Sequence, residues 1–188
     1  MHLIRFKKSI LQLKSITTQL SRCLSTQPIQ STIELNNNKY ESDDYYNLTP
    51  KILSYVGKNI YLQQNHPLSL MRQRITNFFY KEYANPKGTP LFSVYDRLDP
   101  IVTAKQNFDS LLIPEDHPSR AKSECYYVNR EYMLRAHCTA HQVEMLRSGL
   151  DNFLIVGDVY RRDEIDSTHF PVFHQVLTIN PSKTYNTH

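Results

Sequence analysis

No stretch of this sequence approaches the apolar length needed to cross a bilayer, so no membrane-spanning helix and no membrane partner are expected. Cysteine is scarce: Cys23, Cys125 and Cys138 form no CxxC pair and no metal-ligand spacing, which fits incidental thiols in a reducing compartment. Acids are missing from the start of the chain. Arg5, Lys7, Lys8, Lys14 and Arg22 all precede the first one, Glu34. With those five cations set aside, the formal net charge of +4 becomes −1, so bulk charge gives the body of the chain no claim on nucleic acid. What is present is a hydrophobic fraction of 40% with 13 tyrosines, a globular composition in a chain of 188 residues, long enough for one core domain or slightly more.

The acid-free segment 1–25 is rich in Ser and Thr, and Phe6, Ile10 and Leu13 fall at helical spacing, so a helix there is amphipathic and cationic. That composition suits a mitochondrial transit peptide drawn toward the matrix by a negative-inside potential; a basic tail without an address is the alternative. Residues 26–46 are polar and read as a linker. Thr49-Pro50 and Asn65-His66-Pro67 offer helix starts, Pro being tolerated in the first turn. In the second helix Leu68, Met71, Ile75 and Phe78 are spaced as a buried stripe, with Arg72, Arg74 and Lys81 outside. Proline at 86 and 90 ends it, and Phe92, Val94 and Tyr95 begin extended structure. Asp109, Glu115, Asp116 and His117 are irregularly spaced among prolines, and no metal site is expected from them. Two short strands, Tyr126 to Val128 and Tyr132 to Ala136, precede Thr139-Ala140-His141-Gln142. Its Thr-x-x-Gln pattern is a capping box ahead of a helix carrying Val143, Leu146 and Leu150.

The apolar run Phe153 to Val156 has the character of a buried strand, and Val172 to Ile179 that of a returning partner, with a charged loop, Asp163 to Pro171, between them. Side chains alternate across a strand, so Gly157, Val159 and Arg161 share one face and Asp158, Tyr160 and Arg162 the other. Phe173, Gln175 and Leu177 share a face opposite Val172, His174 and Val176. A guanidinium, an aromatic ring and an amide can therefore meet on one side, with His169 arriving from the loop. The guanidinium can fork onto phosphate oxygens and the ring can stack a base.

The string Tyr160-Arg161-Arg162-Asp163 followed by His169-Phe170-Pro171-Val172-Phe173 resembles motif 2 of the class II aminoacyl-tRNA synthetases. With Asp166, His174-Gln175 and the upstream strings NLTPKILSYVGKN from Asn47, NFDSLLIP from Asn107, DHPSR from Asp116 and LRAHCTAHQ from Leu134, it is similar to the single-chain organellar phenylalanine–tRNA ligases. The resemblance implies an α+β fold over residues 47–188: an incomplete class II catalytic core with an antiparallel sheet flanked by helices. It implies ATP and magnesium, phenylalanine and tRNA(Phe), and action as a monomer. Arg161 is the implied catalytic residue, on the α-phosphate. Thr168, His169, Phe170 and Phe173 join it in binding ATP, His169 toward the terminal phosphate and Phe173 against adenine. Thr139, Ala140, His141, Gln142 and Gln175 are the implied amino-acid-binding set. Arg162 is read as structural and Asp163 as a brace.

After Val176 the resemblance stops. Leu177 stands where those ligases carry a glutamate, and motif 3 and an anticodon-binding domain are not found. The expectation is therefore a truncated product or an incomplete gene model, inactive as an isolated chain; a non-catalytic fragment acting as an interaction module and a class II enzyme for another amino acid are the alternatives. The Arg22-Cys23-Leu24-Ser25 string resembles a matrix processing site. N-terminal sequencing of protein recovered from mitochondria is expected to begin near Ser25, and an intact Met1 would contradict the transit-peptide reading.

Overall fold

The computed structural model describes residues 32–162 and 169–180. The transit-peptide segment, Asp163, Asp166 and Thr168 lie outside these residues. Within the stretch expected to be a linker, β1 (Thr32–Leu35) and β2 (Asn38–Glu41) form an antiparallel hairpin. Asn36 and Asn37 take φ values of 49° and 63°, the left-handed pair that a two-residue turn between twisted strands requires. The asparagine run is thus turn chemistry.

Both expected helix starts form. Thr49 accepts from the Ile52 amide at 3.3 Å to open α1 (Pro50–Leu53), and His66 Nδ1 accepts from Leu68 at 3.2 Å to open α2 (Pro67–Glu82). The face that α2 buries is a correction to the sequence reading. Met71 and Phe78 are 59% and 55% exposed, whereas Ser69 and Thr76 are buried. Helix orientation follows its strongest fixed partners: Arg72 pairs with Asp96 at 2.6 Å and donates to the Tyr61 carbonyl at 3.2 Å, and Phe79 packs on Phe92 with centroids 4.9 Å apart. Arg72, expected outside, is the inward anchor.

β3 (Ser93–Tyr95), β6 (Phe153–Tyr160) and β7 (Val172–Ile179) make the central sheet in the order β3-β6-β7. The β6–β7 pair is antiparallel as expected, in register Gly157 to Gln175 and Val159 to Phe173; β3 joins β6 in parallel. Every residue of β6 is buried, because it is the middle strand with both faces covered. A second ribbon joins β4 (Ile101–Thr103) to β5 (Tyr132–Leu134). Tyr126–Val128, expected as a strand, runs beside β5 with one bridge, Tyr127 to Met133, and the Leu134 amide donating to the Tyr126 carbonyl at 2.9 Å. α3 (Ala104–Asn107) follows β4, and α4 (Gln142–Arg147) follows a 3-10 turn at Cys138–His141. The Thr139/Gln142 capping box does not form, since neither that turn nor α4 has a side-chain cap. A capping box does close at the start of α3, where Thr103 and Gln106 bond reciprocally at 3.0 and 2.8 Å.

The ribbon and the sheet meet at Arg135. Its amide donates to the Pro100 carbonyl at 2.8 Å and its carbonyl accepts from Tyr160 at 3.0 Å. Its side chain, wholly buried, reaches Asp158 Oδ1 at 2.8 Å, the Asp158 carbonyl at 2.7 Å, the Leu98 carbonyl at 3.3 Å and His141 Nε2 at 3.1 Å. Tyr160 donates its hydroxyl to the other Asp158 oxygen. Burial, followed by the Asp158 charge, raises the Tyr160 pKa and keeps that donor protonated.

A β-carbon at Gly157 would lie 2.1 Å from Arg135 Nη2. The guanidinium cannot step aside without leaving its partners, and breaking a buried pair costs roughly 3–5 kcal/mol. Gly157→Ala is expected to lose about that much stability in urea unfolding; a loss within experimental error would show that the pair does not hold the ribbon to the sheet.

Candidate active site

The hairpin places Phe173 and Gln175 on the same side of β7, two residues apart, and Arg161 follows directly from β6. The Arg161 amide donates to the Pro171 carbonyl at 3.0 Å, closing the base of the loop. Its Nε donates to the Ala136 carbonyl at 3.0 Å, and its Cζ lies 5.2 Å above the Phe173 ring. The guanidinium and the ring therefore project together, as strand alternation predicts. Among the described residues Arg161 makes no ion pair, whereas Arg72, Arg120, Arg130 and Arg135 are each spent on a carboxylate. A half-buried guanidinium whose terminal nitrogens make no hydrogen bond among the described residues could take an anion. Arg162 turns the other way: its amide donates to Glu124 and its Nη1 to the Lys122 carbonyl, both at 2.8 Å, the structural role expected of it.

Gln175 Oε1 accepts from the Cys138 amide at 3.1 Å. With its oxygen spent on backbone, the amide offers only N–H donors to whatever lies beside it, which suits a carboxylate. The same contact ties β7 to the Cys138–His141 turn. There the sequence reading is only partly matched. Thr139 and Gln142 are half-buried, but Ala140 and His141 are buried. His141 faces inward and gives Nε2 to Arg135, so it serves the fold where a substrate contact was expected. Burial and then the Arg135 charge lower its pKa to about 4, which fixes a neutral ring that accepts from the guanidinium.

The residue that sequence reasoning passed over is His137. It is half-buried beside Arg161, and its Nδ1 is hydrogen-bonded to the Thr139 hydroxyl. Burial, then the Arg161 charge, lowers its pKa. It is a neutral polar group next to an unpaired cation, lining the same side as Gln175 and Thr139. No local spacing signals it, because its neighbours Arg161 and Asn107 come from distant parts of the chain.

Of the loop residues, Thr168 lies outside the described residues and His169 is exposed. Phe170, 51% exposed, packs edge-on against Tyr55 with centroids 5.6 Å apart. It thereby joins Val172 and His174 around a cavity of about 80 Å³ with Tyr55, Lys58 and Asp158, instead of the Arg161 side where it was expected. Leu177 packs with Phe153, Ile155 and Val159. Among the described residues no group of three or more His, Cys, Asp or Glu side chains could hold a metal ion.

The arrangement brings a guanidinium, an aromatic ring and a side-chain amide to one side of the hairpin. Comparison with known proteins supplies a family. The family described as tRNA synthetases class II core domain (F) matches residues 51–186. The chain is 60% identical over 162 residues to the probable mitochondrial phenylalanine–tRNA ligase of Drosophila melanogaster, covering 82% of this chain and 36% of that protein. It is 58% identical over 144 residues to the mitochondrial phenylalanine–tRNA ligase of Rattus norvegicus, covering 77% and 30%. For that of Saccharomyces cerevisiae it is 40% over 167 residues, covering 85% and 34%. The chain thus spans about a third of the length of the curated relatives it matches.

A pH dependence follows from His141. Its folded pKa, about 4, lies below the ordinary 6.5, so the unfolded chain binds the extra proton and stability falls as pH drops from about 6.5 to about 4. His141→Gln keeps an acceptor for Arg135 and cannot titrate. Urea unfolding across this window is expected to show a slope smaller by up to about 1.4 kcal/mol per pH unit in the variant. An unchanged slope would mean that His141 is protonated in the folded state.

Proposed function

Because the chain belongs to the class II tRNA synthetase core-domain family, we propose that it supplies the part of a phenylalanine–tRNA ligase that binds ATP and phenylalanine. In this reading the phenylalanine carboxylate attacks the α-phosphorus of ATP and pyrophosphate leaves. The adenylate is then attacked by a ribose hydroxyl at the 3′ end of tRNA(Phe). The observation that supports it most is Arg161, open and unpaired above Phe173. Charge builds on the α-phosphate oxygens as the new bond forms, and a guanidinium already in place stabilises it without reorganising. Phe173 takes the adenine ring. The Gln175 amide hydrogens and His137 hold the substrate carboxylate toward the phosphorus, and the Thr139 hydroxyl lies within the same wall. His169 is assigned to the terminal phosphate of the nucleotide.

Magnesium accompanies the triphosphate as part of the substrate. The mitochondrial names of the relatives and the acid-free N-terminus together support residence in the matrix. Action as a monomer rests on the resemblance to single-chain ligases.

Loss of one preorganised contact to developing charge commonly costs about 2.7–4 kcal/mol, or roughly a hundredfold to a thousandfold in rate. In a complete enzyme, phenylalanine-dependent exchange of pyrophosphate into ATP is expected to fall by that factor in Arg161→Ala. Arg162→Ala should leave exchange within a few-fold and lower stability instead. Equal exchange by wild type and the Arg161 variant would remove Arg161 from the mechanism.

A further inference from the structure

Arg161 gains its position from the Ala136 carbonyl, and the amide of that residue is itself held by a buried side chain. Asn107, the last residue of α3, is wholly buried, and its Oδ1 accepts from the Ala136 amide at 3.1 Å. The carbonyl of the same residue accepts from Arg161 Nε at 3.0 Å. Two hydrogen bonds, joined by one residue's backbone, thus link Asn107 to the guanidinium.

The side chain is costly where it stands. Asn107 Nδ2 is buried with no hydrogen-bond partner among the described residues, and an unmet buried donor is normally avoided. An apolar residue of similar size would escape that cost. Only the acceptor half of the amide is in use, which marks the bond to Ala136 as the reason for the residue. Its base is rigid, because the Thr103/Gln106 capping box locks the single turn of α3 that carries it. The Asn107 backbone also contacts the His137 ring, so the next residue along is steadied from the same place.

We propose that Asn107 is a positioning residue: through the Ala136 backbone it sets the height and angle of the Arg161 guanidinium above Phe173. The proposal rests on the ligase reading only for its kinetic consequence, since the geometric one is measurable without catalysis.

The test uses the full chain with isotope-labelled arginine, comparing wild type, Asn107→Ala and Asn107→Asp. Asp keeps the acceptor and discards the orphaned donor. The Nε–H of Arg161 is expected to exchange with solvent at least about tenfold faster in the Ala variant, while that of Arg135, bonded to the Asp158 carbonyl, is unchanged and reports an intact fold. The Asp variant should restore slow exchange. Phenylalanine-dependent pyrophosphate exchange should fall roughly tenfold to a hundredfold in the Ala variant and recover in Asp. An unaltered Arg161 signal in Asn107→Ala overturns the proposal. So does a folded Asn107→Asp chain whose Arg161 Nε–H exchanges as fast as in the Ala variant, and that arm decides the matter if Asn107→Ala does not fold. The predicted exchange pattern in a chain without pyrophosphate exchange upholds the positioning role and counts against the ligase reading instead.

Discussion

The guanidinium of Arg135, closed off from solvent and paired with Asp158, constrains everything around it. A buried cation needs every donor satisfied, and its partners come from β6, from the segment before β4 and from the turn after β5. Fixing one side chain therefore fixes three pieces of backbone at once. Gly157 leaves the space that the guanidinium occupies, and Tyr160 completes the carboxylate. Segment 135–141 then closes on itself, because His141 returns to the same arginine from which the segment departs.

That closed segment is also the wall of the site. Ala136 holds Arg161, His137 sits beside it, Cys138 grips Gln175, and Thr139 completes the edge. The hairpin supplies the guanidinium and the ring; the segment supplies the surface that sets their distance. The chain outside the N-terminal segment carries almost no net charge, so any field at this face is local: among the described residues Arg161 makes no ion pair, whereas Arg72, Arg120, Arg130 and Arg135 are each matched by a carboxylate.

How much of this the sequence reveals depends on the range of the interaction involved. Strand alternation is local and strict, so the β6–β7 hairpin and the shared face of Arg161, Phe173 and Gln175 are legible from residue order alone. Helix starts are local too, and Thr49 and His66 cap as expected. The buried face of α2 is not local: its apolar spacing points to Met71 and Phe78, but Asp96 and Phe92 hold Arg72 and Phe79 and rotate the helix. His141 and His137 illustrate the same limit. His141 lies within the Thr-Ala-His-Gln turn and His137 just before it, and only their contacts in the fold decide that the first bonds Arg135 while the second lies beside Arg161. Phe170 is drawn to Tyr55, a neighbour that no spacing rule reveals.

The most direct measurement is a crystal structure of the chain bound to a non-hydrolysable phenylalanyl-adenylate analogue. The account predicts adenine against the Phe173 ring, the phosphate group between the terminal nitrogens of Arg161, the amino-acid moiety beside Gln175 and His137, and an Arg135–Asp158 pair that has not moved. An analogue seated on the Tyr55–Phe170 side of the hairpin, or an Arg161 turned away from the phosphate, would contradict it.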